Sequence, residues 1–135
     1  MDIMHSLQGL GDFAVYFGTA LIAEAIFVIL YMAMTPHREA ALIAARNTAA
    51  AVSLGGAVLG FTLPLASAIA NSVSLLDMAV WSTVALVVQL AVFRLVELFL
   101  SGLSHRIEDG NLAAGLTLAV ASLATGVLNA ASMTY

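Results

Sequence analysis

Cysteine and lysine are absent from this 135-residue chain, proline occurs twice, and charged side chains make up only 9% of it. Without cysteine there is no disulfide, no thiol redox centre and no thiolate metal site. Four arginines against eight acids leave a formal charge of -4, so there is no basic surface to neutralise a nucleic-acid backbone, and nucleic acid is excluded as a partner. Soluble domains carry about a quarter charged residues. With 62% hydrophobic residues and a mean hydropathy of +1.06, the chain reads instead as a single integral membrane domain over 1–135, with no linker or low-complexity segment.

What the chain has is long apolar runs. A hydrocarbon core of about 30 Å needs roughly 20 apolar residues in a helix, and the stretches 12–34, 47–71, 77–101 and 111–133 meet that length. The expected fold is therefore an all-α membrane protein with four transmembrane helices. Asp2 and Asp12 stand where a secretory signal would carry Lys or Arg, so the first run is expected to be a retained span. Thr35 before Pro36 reads as a helix cap and first turn, which predicts a short amphipathic surface helix over 36–46. The connection 70–77 has no basic residue, whereas 102–110 carries His105, Arg106, Glu108 and Asp109. Arg38, Arg46, Arg94 and Arg106 all lie in or near the first and third connections. By the positive-inside rule, loops 35–46 and 102–110 are expected on the cytoplasmic side and both termini in the periplasm.

A phrase is written twice. Ile43, Asn47, Ala49 and Ala50 recur 64 residues later as Ile107, Asn111, Ala113 and Ala114, and the match extends to Leu54 on Leu118, Leu59 on Leu123 and Ala66 on Ala130. For the odd-numbered spans the offset is 65, which sets Asp12 on Asp77, Ala20 on Ala85 and Glu24 on Gln89. Because each unit has two spans, the expectation is two tandem helical hairpins in the same orientation, 12–71 and 77–133, related by a pseudo-two-fold axis along the membrane normal.

Glu24 falls near the middle of its span, where an unpaired carboxylate costs several kcal/mol and must face protein or water. It reads either as a proton or cation site or as a protonated acid that locks packing, with Gln89 at the same depth as its expected hydrogen-bond partner. Arg94 and Glu97 have the i, i+3 spacing of a helical ion pair and read as a snorkelling pair near the interface. Asn47 and Asn111 are expected to cap the second and fourth spans. Gly56 and Gly60 have the small-xxx-small spacing of close helix contacts, Gly11, Gly18 and Ala25 recur every seven residues, and Gly115, Ala119, Ser122, Gly126 and Asn129 form a stripe. Pro64 is expected to kink the second span and free the carbonyl of Gly60. His5, His37 and His105 are scattered without metal spacing, so neither a metal site nor a cofactor is expected. Ser104, His105 and Glu108 read as a solvated turn.

The phrases Asn47 to Ala51, Leu59 and Gly60 with Pro64 and Leu65, Trp81 and Ser82 with Val88 to Leu90, and Asn111 to Gly115 with Asn129 to Ala131 resemble the YjfL-type bacterial inner-membrane proteins, a domain of unknown function (DUF350) with the two-span unit in tandem. The resemblance implies a multi-pass inner-membrane location without catalytic residues to carry over. It also implies an envelope-maintenance setting and a peripheral cytoplasmic membrane-remodelling protein as partner. The functional expectation is a non-enzymatic homo-oligomeric module that presents its cytoplasmic loops to such a partner at the lipid bilayer. The alternative is a small ion or proton channel or transporter centred on Glu24 and Gln89. A membrane enzyme is not expected, because no nucleophile, base and orienting group converge at one depth.

Overall fold

The computed structural model describes residues 2–133, and the extreme ends of the expected 1–135 domain lie outside the described residues. The described chain forms α1 (Ile3–Met34), α2 (Glu39–Ala44), α3 (Thr48–Asn71), α4 (Leu75–Phe99), α5 (Leu103–Glu108) and α6 (Leu112–Ala131). Four of these, α1, α3, α4 and α6, are long and apolar enough to cross a membrane. Spans two to four match the expected stretches within two residues at each end.

The first span differs. α1 starts at Ile3 rather than near residue 12, because the Asp2 side chain accepts from the Met4 amide at 3.2 Å and supplies an N-cap. No proline interrupts the run, and Ile3, Met4, Leu7 and Leu10 continue its apolar surface outward. At 32 residues, α1 is about 48 Å long and exceeds the hydrocarbon core. Thr35 is likewise not the cap of the surface helix. It closes α1, its amide bonded to the Tyr31 carbonyl, and the next helix begins only at Glu39 behind Arg38, which makes no side-chain cap bond. The Thr35 hydroxyl is instead directed to Glu39 and to the Met32 carbonyl.

Small residues decide where the core lies. Along α3 and α6 the close approaches rise together, Ala49 with Gly115, Gly56 with Ala119, Gly60 with Ser122 and Gly126, and Ser67 with Ala130, so the two helices run side by side in the same direction. A Cβ on Gly126 would stand 2.2 Å from the Gly60 carbonyl oxygen. That carbonyl is the one to which Pro64, lacking an N–H, cannot donate. A glycine Cα–H facing it provides a weak compensating contact, while α3 passes through Pro64 as one helix. Gly11 and Gly18 have nothing within 4 Å. The Gly11, Gly18 and Ala25 stripe therefore faces away from the other helices, because contact with α3 and α4 runs through Glu24, Phe27 and Tyr31 instead.

Both second-helix starts share one local geometry. Arg46 and Gly110 each adopt a left-handed backbone, with φ of 64° and 79°. The Asn47 amide reaches back to the Leu42 carbonyl and the Asn111 amide to the Arg106 carbonyl, each at 2.9 Å. This is the Schellman pattern that ends a helix with a reversal. The side chain of Asn47 then accepts from the Ala50 amide at 3.0 Å, and that of Asn111 from the Ala114 amide at 3.3 Å. Both asparagines cap their helices as expected. Between α4 and α6 the short helix α5 replaces the expected open turn, since Leu103 and Ile107 are fully buried and anchor it.

Candidate functional site

Two polar sites are built into the apolar bundle. The first centres on Glu24, ten residues or about 15 Å before the α2 end of α1. Its Oε2 lies 3.0 Å from the Thr62 hydroxyl of α3, and its Oε1 is shielded and has no hydrogen-bond partner. Thr62 also donates to the Val58 carbonyl at 2.8 Å. Gln89 lies at a similar depth on α4 but turns elsewhere. Fully buried, it donates to the Ser122 carbonyl at 3.1 Å and accepts a longer contact of 3.5 Å from the Asn129 amide. Gly60 makes room for it, since a Cβ there would come within 2.8 Å of the Gln89 amide nitrogen. The expected Glu24–Gln89 hydrogen bond is thus not formed. Both stand beside residues 60–62 of α3, but Glu24 faces α3 and Gln89 faces α6.

Between Glu24 and the loop end of the bundle stands an aromatic block. Phe27 stacks on Phe61 with centroids 4.7 Å apart, and Tyr31 meets Phe93 edge-on at 6.2 Å. All four side chains are buried.

Beyond this block lies the second site, which sequence reasoning missed. Thr35, His37 and Glu39 are all buried at the junction of α1 and α2. The Thr35 hydroxyl bonds Glu39 Oε1 at 2.5 Å, His37 Nε2 lies 3.3 Å from the same oxygen, and His37 Nδ1 is 3.1 Å from Ser104 Oγ of α5. His37 is therefore buried, and Ser104 is not part of a free turn. His105 and Glu108, by contrast, form an exposed pair at 3.6 Å, as a solvated loop would. Tyr31 and His37 pack on the same Phe93 ring, with centroids 6.2 and 6.0 Å from it. Three atoms of this cluster, the Tyr31 hydroxyl, His37 Nε2 and Glu39 Oε2, are buried without a hydrogen-bond partner. The available signal was in the repeat itself. Sliding by 64 residues sets Glu39 on Leu103, and both are buried first residues of a short helix. An acid therefore stands where the corresponding position takes a leucine.

Arg94 and Glu97 pair at 3.1 Å on a partly exposed surface, and Arg94 also reaches the Met34 carbonyl at 3.5 Å and the face of Phe93. Asn47 does more than cap. Its side-chain amide donates to the carbonyls of Ile107 and Glu108 at 2.8 and 3.2 Å, tying the start of α3 to the end of α5.

Comparison with known proteins identifies the family. The Domain of Unknown Function (DUF350) family model matches residues 4–133. The UPF0719 inner membrane protein YjfL of Escherichia coli (strain K12) is 43% identical over 132 residues, covering 98% of this chain and 100% of that relative. The protein of the same description from Escherichia coli O157:H7 matches to the same extent. No solved structure matches. With four helices of membrane-spanning length and relatives of this description, the chain is a multi-pass inner-membrane protein, and it belongs to the DUF350 family.

Proposed function

We propose that the protein is a non-enzymatic module of the inner membrane that presents one face, formed by α2 and α5, to a peripheral partner on the cytoplasmic side. The observation that carries this is the state of three arginines. Arg38, Arg46 and Arg106 are exposed, and among the described residues none of them forms an ion pair. Arg46 in addition holds a left-handed backbone where Gly110 stands at the matching position. That conformation costs a non-glycine residue roughly 1–2 kcal/mol, a cost that a side chain with an external role offsets.

The proposed framework is a pair of hairpins, α1 with α3 and α4 with α6, in one orientation about an axis along the membrane normal. Support comes from the shared direction of α3 and α6 and from the matched turns before them. The positive-inside rule puts the arginine-bearing loops in the cytoplasm and both termini in the periplasm. Homo-oligomerisation and a role in envelope maintenance with a membrane-remodelling protein belong to the same proposal.

Crosslinking in cells provides the test. Wild type should capture a peripheral cytoplasmic protein, and the combined variant Arg38→Gln, Arg46→Gln, Arg106→Gln should lose at least ~10-fold of the adduct, as expected when several rim charges are removed. An undiminished adduct overturns the proposal. Arg46→Gly alone should raise stability by about 1 kcal/mol through the relieved backbone, measured by denaturation in mixed micelles.

A second reading rests on Glu24. One Thr62 hydroxyl proton cannot serve both the Val58 carbonyl and Glu24 Oε2 at once, and a protonated carboxyl completes the pair by donating to Thr62 Oγ1. Such an acid within the membrane is suited to carrying protons. Wild-type protein in liposomes should then show a proton or cation flux that Glu24→Gln reduces at least ~10-fold, the scale on which a positioned proton-transfer group acts. Absence of any Glu24-dependent flux discards this reading.

A further inference from the structure

We infer that Tyr31, His37 and Glu39 form a binding site for a divalent first-row transition-metal cation of the Zn²⁺ type, buttressed by Ser104 and Thr35. It is separate from Glu24, and of the exposed arginines only Arg38 borders it. Among the described residues no group of three or more His, Cys, Asp or Glu converges, so the donor set is mixed: one imidazole, one carboxylate and one phenol, with water completing the coordination.

The two ligating side chains already meet at ion-pair distance without a formed hydrogen bond. His37 Nε2 and Glu39 Oε1 are 3.3 Å apart, yet Nε2 has no hydrogen-bond partner. Metal–ligand distances of about 2.0–2.2 Å at a tetrahedral angle put neighbouring ligand atoms roughly 3.3–3.6 Å apart, a range whose short end this pair meets. Residues 37 and 39 are both buried while Arg38 between them is exposed, which leaves its guanidinium outside. In the tautomer that donates Nδ1–H to Ser104, Nε2 presents its lone pair. A metal-ligating histidine is ordinarily oriented this way, its second nitrogen held by an outer partner. The Thr35 hydroxyl donates to the same Oε1 and so orients the carboxylate, while Oε2 has no hydrogen-bond partner and is free to complete a bidentate hold.

Burial makes the open atoms informative. Tyr31, His37 and Glu39 are each no more than 1% exposed, and a buried polar atom without a partner is costly. Three such atoms in one cluster constitute a demand for a ligand, and a cation satisfies all of them together. A cleft of about 340 Å³, lined by Met32, Thr35, Pro36, His37, Arg38 and Glu39 among others, provides the approach.

The test is metal titration of the purified full-length protein in detergent micelles, with Co²⁺ followed by its visible absorption and Zn²⁺ by calorimetry. Wild type should bind one Co²⁺ saturably with a tetrahedral spectrum, and Zn²⁺ should displace it. His37→Ala and Glu39→Leu should each abolish the spectrum, and Ser104→Ala should weaken binding roughly 10- to 100-fold. Glu39→Leu is chosen because Leu103 occupies the corresponding buried position, and its helical circular dichroism and elution volume should equal those of wild type. Should either single variant fail to fold, the other and Ser104→Ala report independently. Wild type without saturable Co²⁺ or Zn²⁺ binding overturns the inference, as does a folded Glu39→Leu that binds with unchanged affinity.

Discussion

Gly126→Val should cost the fold about 3 kcal/mol or more, whereas Gly18→Val should leave stability within about 0.5 kcal/mol of wild type. Both glycines lie in apolar spans and belong to small-residue stripes. They differ in what a Cβ would meet. At Gly18 there is nothing within 4 Å, while at Gly126 the added carbon falls 2.2 Å from the Gly60 carbonyl oxygen and 2.9 Å from its carbon and Cα. Side-chain obstacles can rotate away, but these atoms are backbone, so α3 and α6 must move apart. Separation would loosen the neighbouring approaches of Gly56 to Ala119 and of Gly115 to Ala49, and would withdraw the Cα–H contact from the carbonyl that Pro64 leaves unserved. In a membrane, where packing rather than water expulsion drives helix association, such contacts carry a large share of the stability. Denaturation in mixed micelles measures both variants. Equal stability of the two would mean that the α3–α6 seam does not hold the bundle together.

Glycine spacing alone made the stripes on α1, α3 and α6 look alike, and only tertiary placement separates the seam from the outward face of α1. The spans themselves were legible because length and apolarity are properties of the local chain, and the asparagine caps because a cap needs only its own first turn. The start of α1 was less so: its cap is Asp2, whose charge reads equally well as the flank of a loop. Matching Glu24 to Gln89 by the repeat says nothing about which neighbour each side chain faces, and the two face α3 and α6 respectively. The His37 cluster was the hardest to see. His37 and Ser104 are 67 residues apart, and the feature that brings them together, the burial of α5 through Leu103 and Ile107, has a span of only six residues. A short charged stretch reads as a loop until its two apolar residues are seen to be inside.

Asn47 and Asn111 are the clearest case of one phrase with two workloads, and their alanine variants should separate accordingly. Each side-chain oxygen caps its helix, a contribution of roughly 1 kcal/mol that either substitution removes. Only Asn47 also uses its amide across the fold, at 2.8 Å to the Ile107 carbonyl and 3.2 Å to that of Glu108. Each such bond contributes about 0.5–1.5 kcal/mol net, the buried Ile107 end more than the exposed Glu108 end. Asn47→Ala should therefore cost roughly 2–3 kcal/mol against about 1 kcal/mol for Asn111→Ala. Aspartate sharpens the distinction, because it keeps the acceptor oxygen and removes the donor. Asn111→Asp should be nearly neutral, while Asn47→Asp recovers the cap alone and stays destabilised by the loss of both carbonyl bonds. The four free energies come from one denaturation series in micelles. If Asn47→Ala and Asn111→Ala cost the same, the bonds from Asn47 to α5 add nothing to stability, and α5 is held by Leu103 and Ile107 without them.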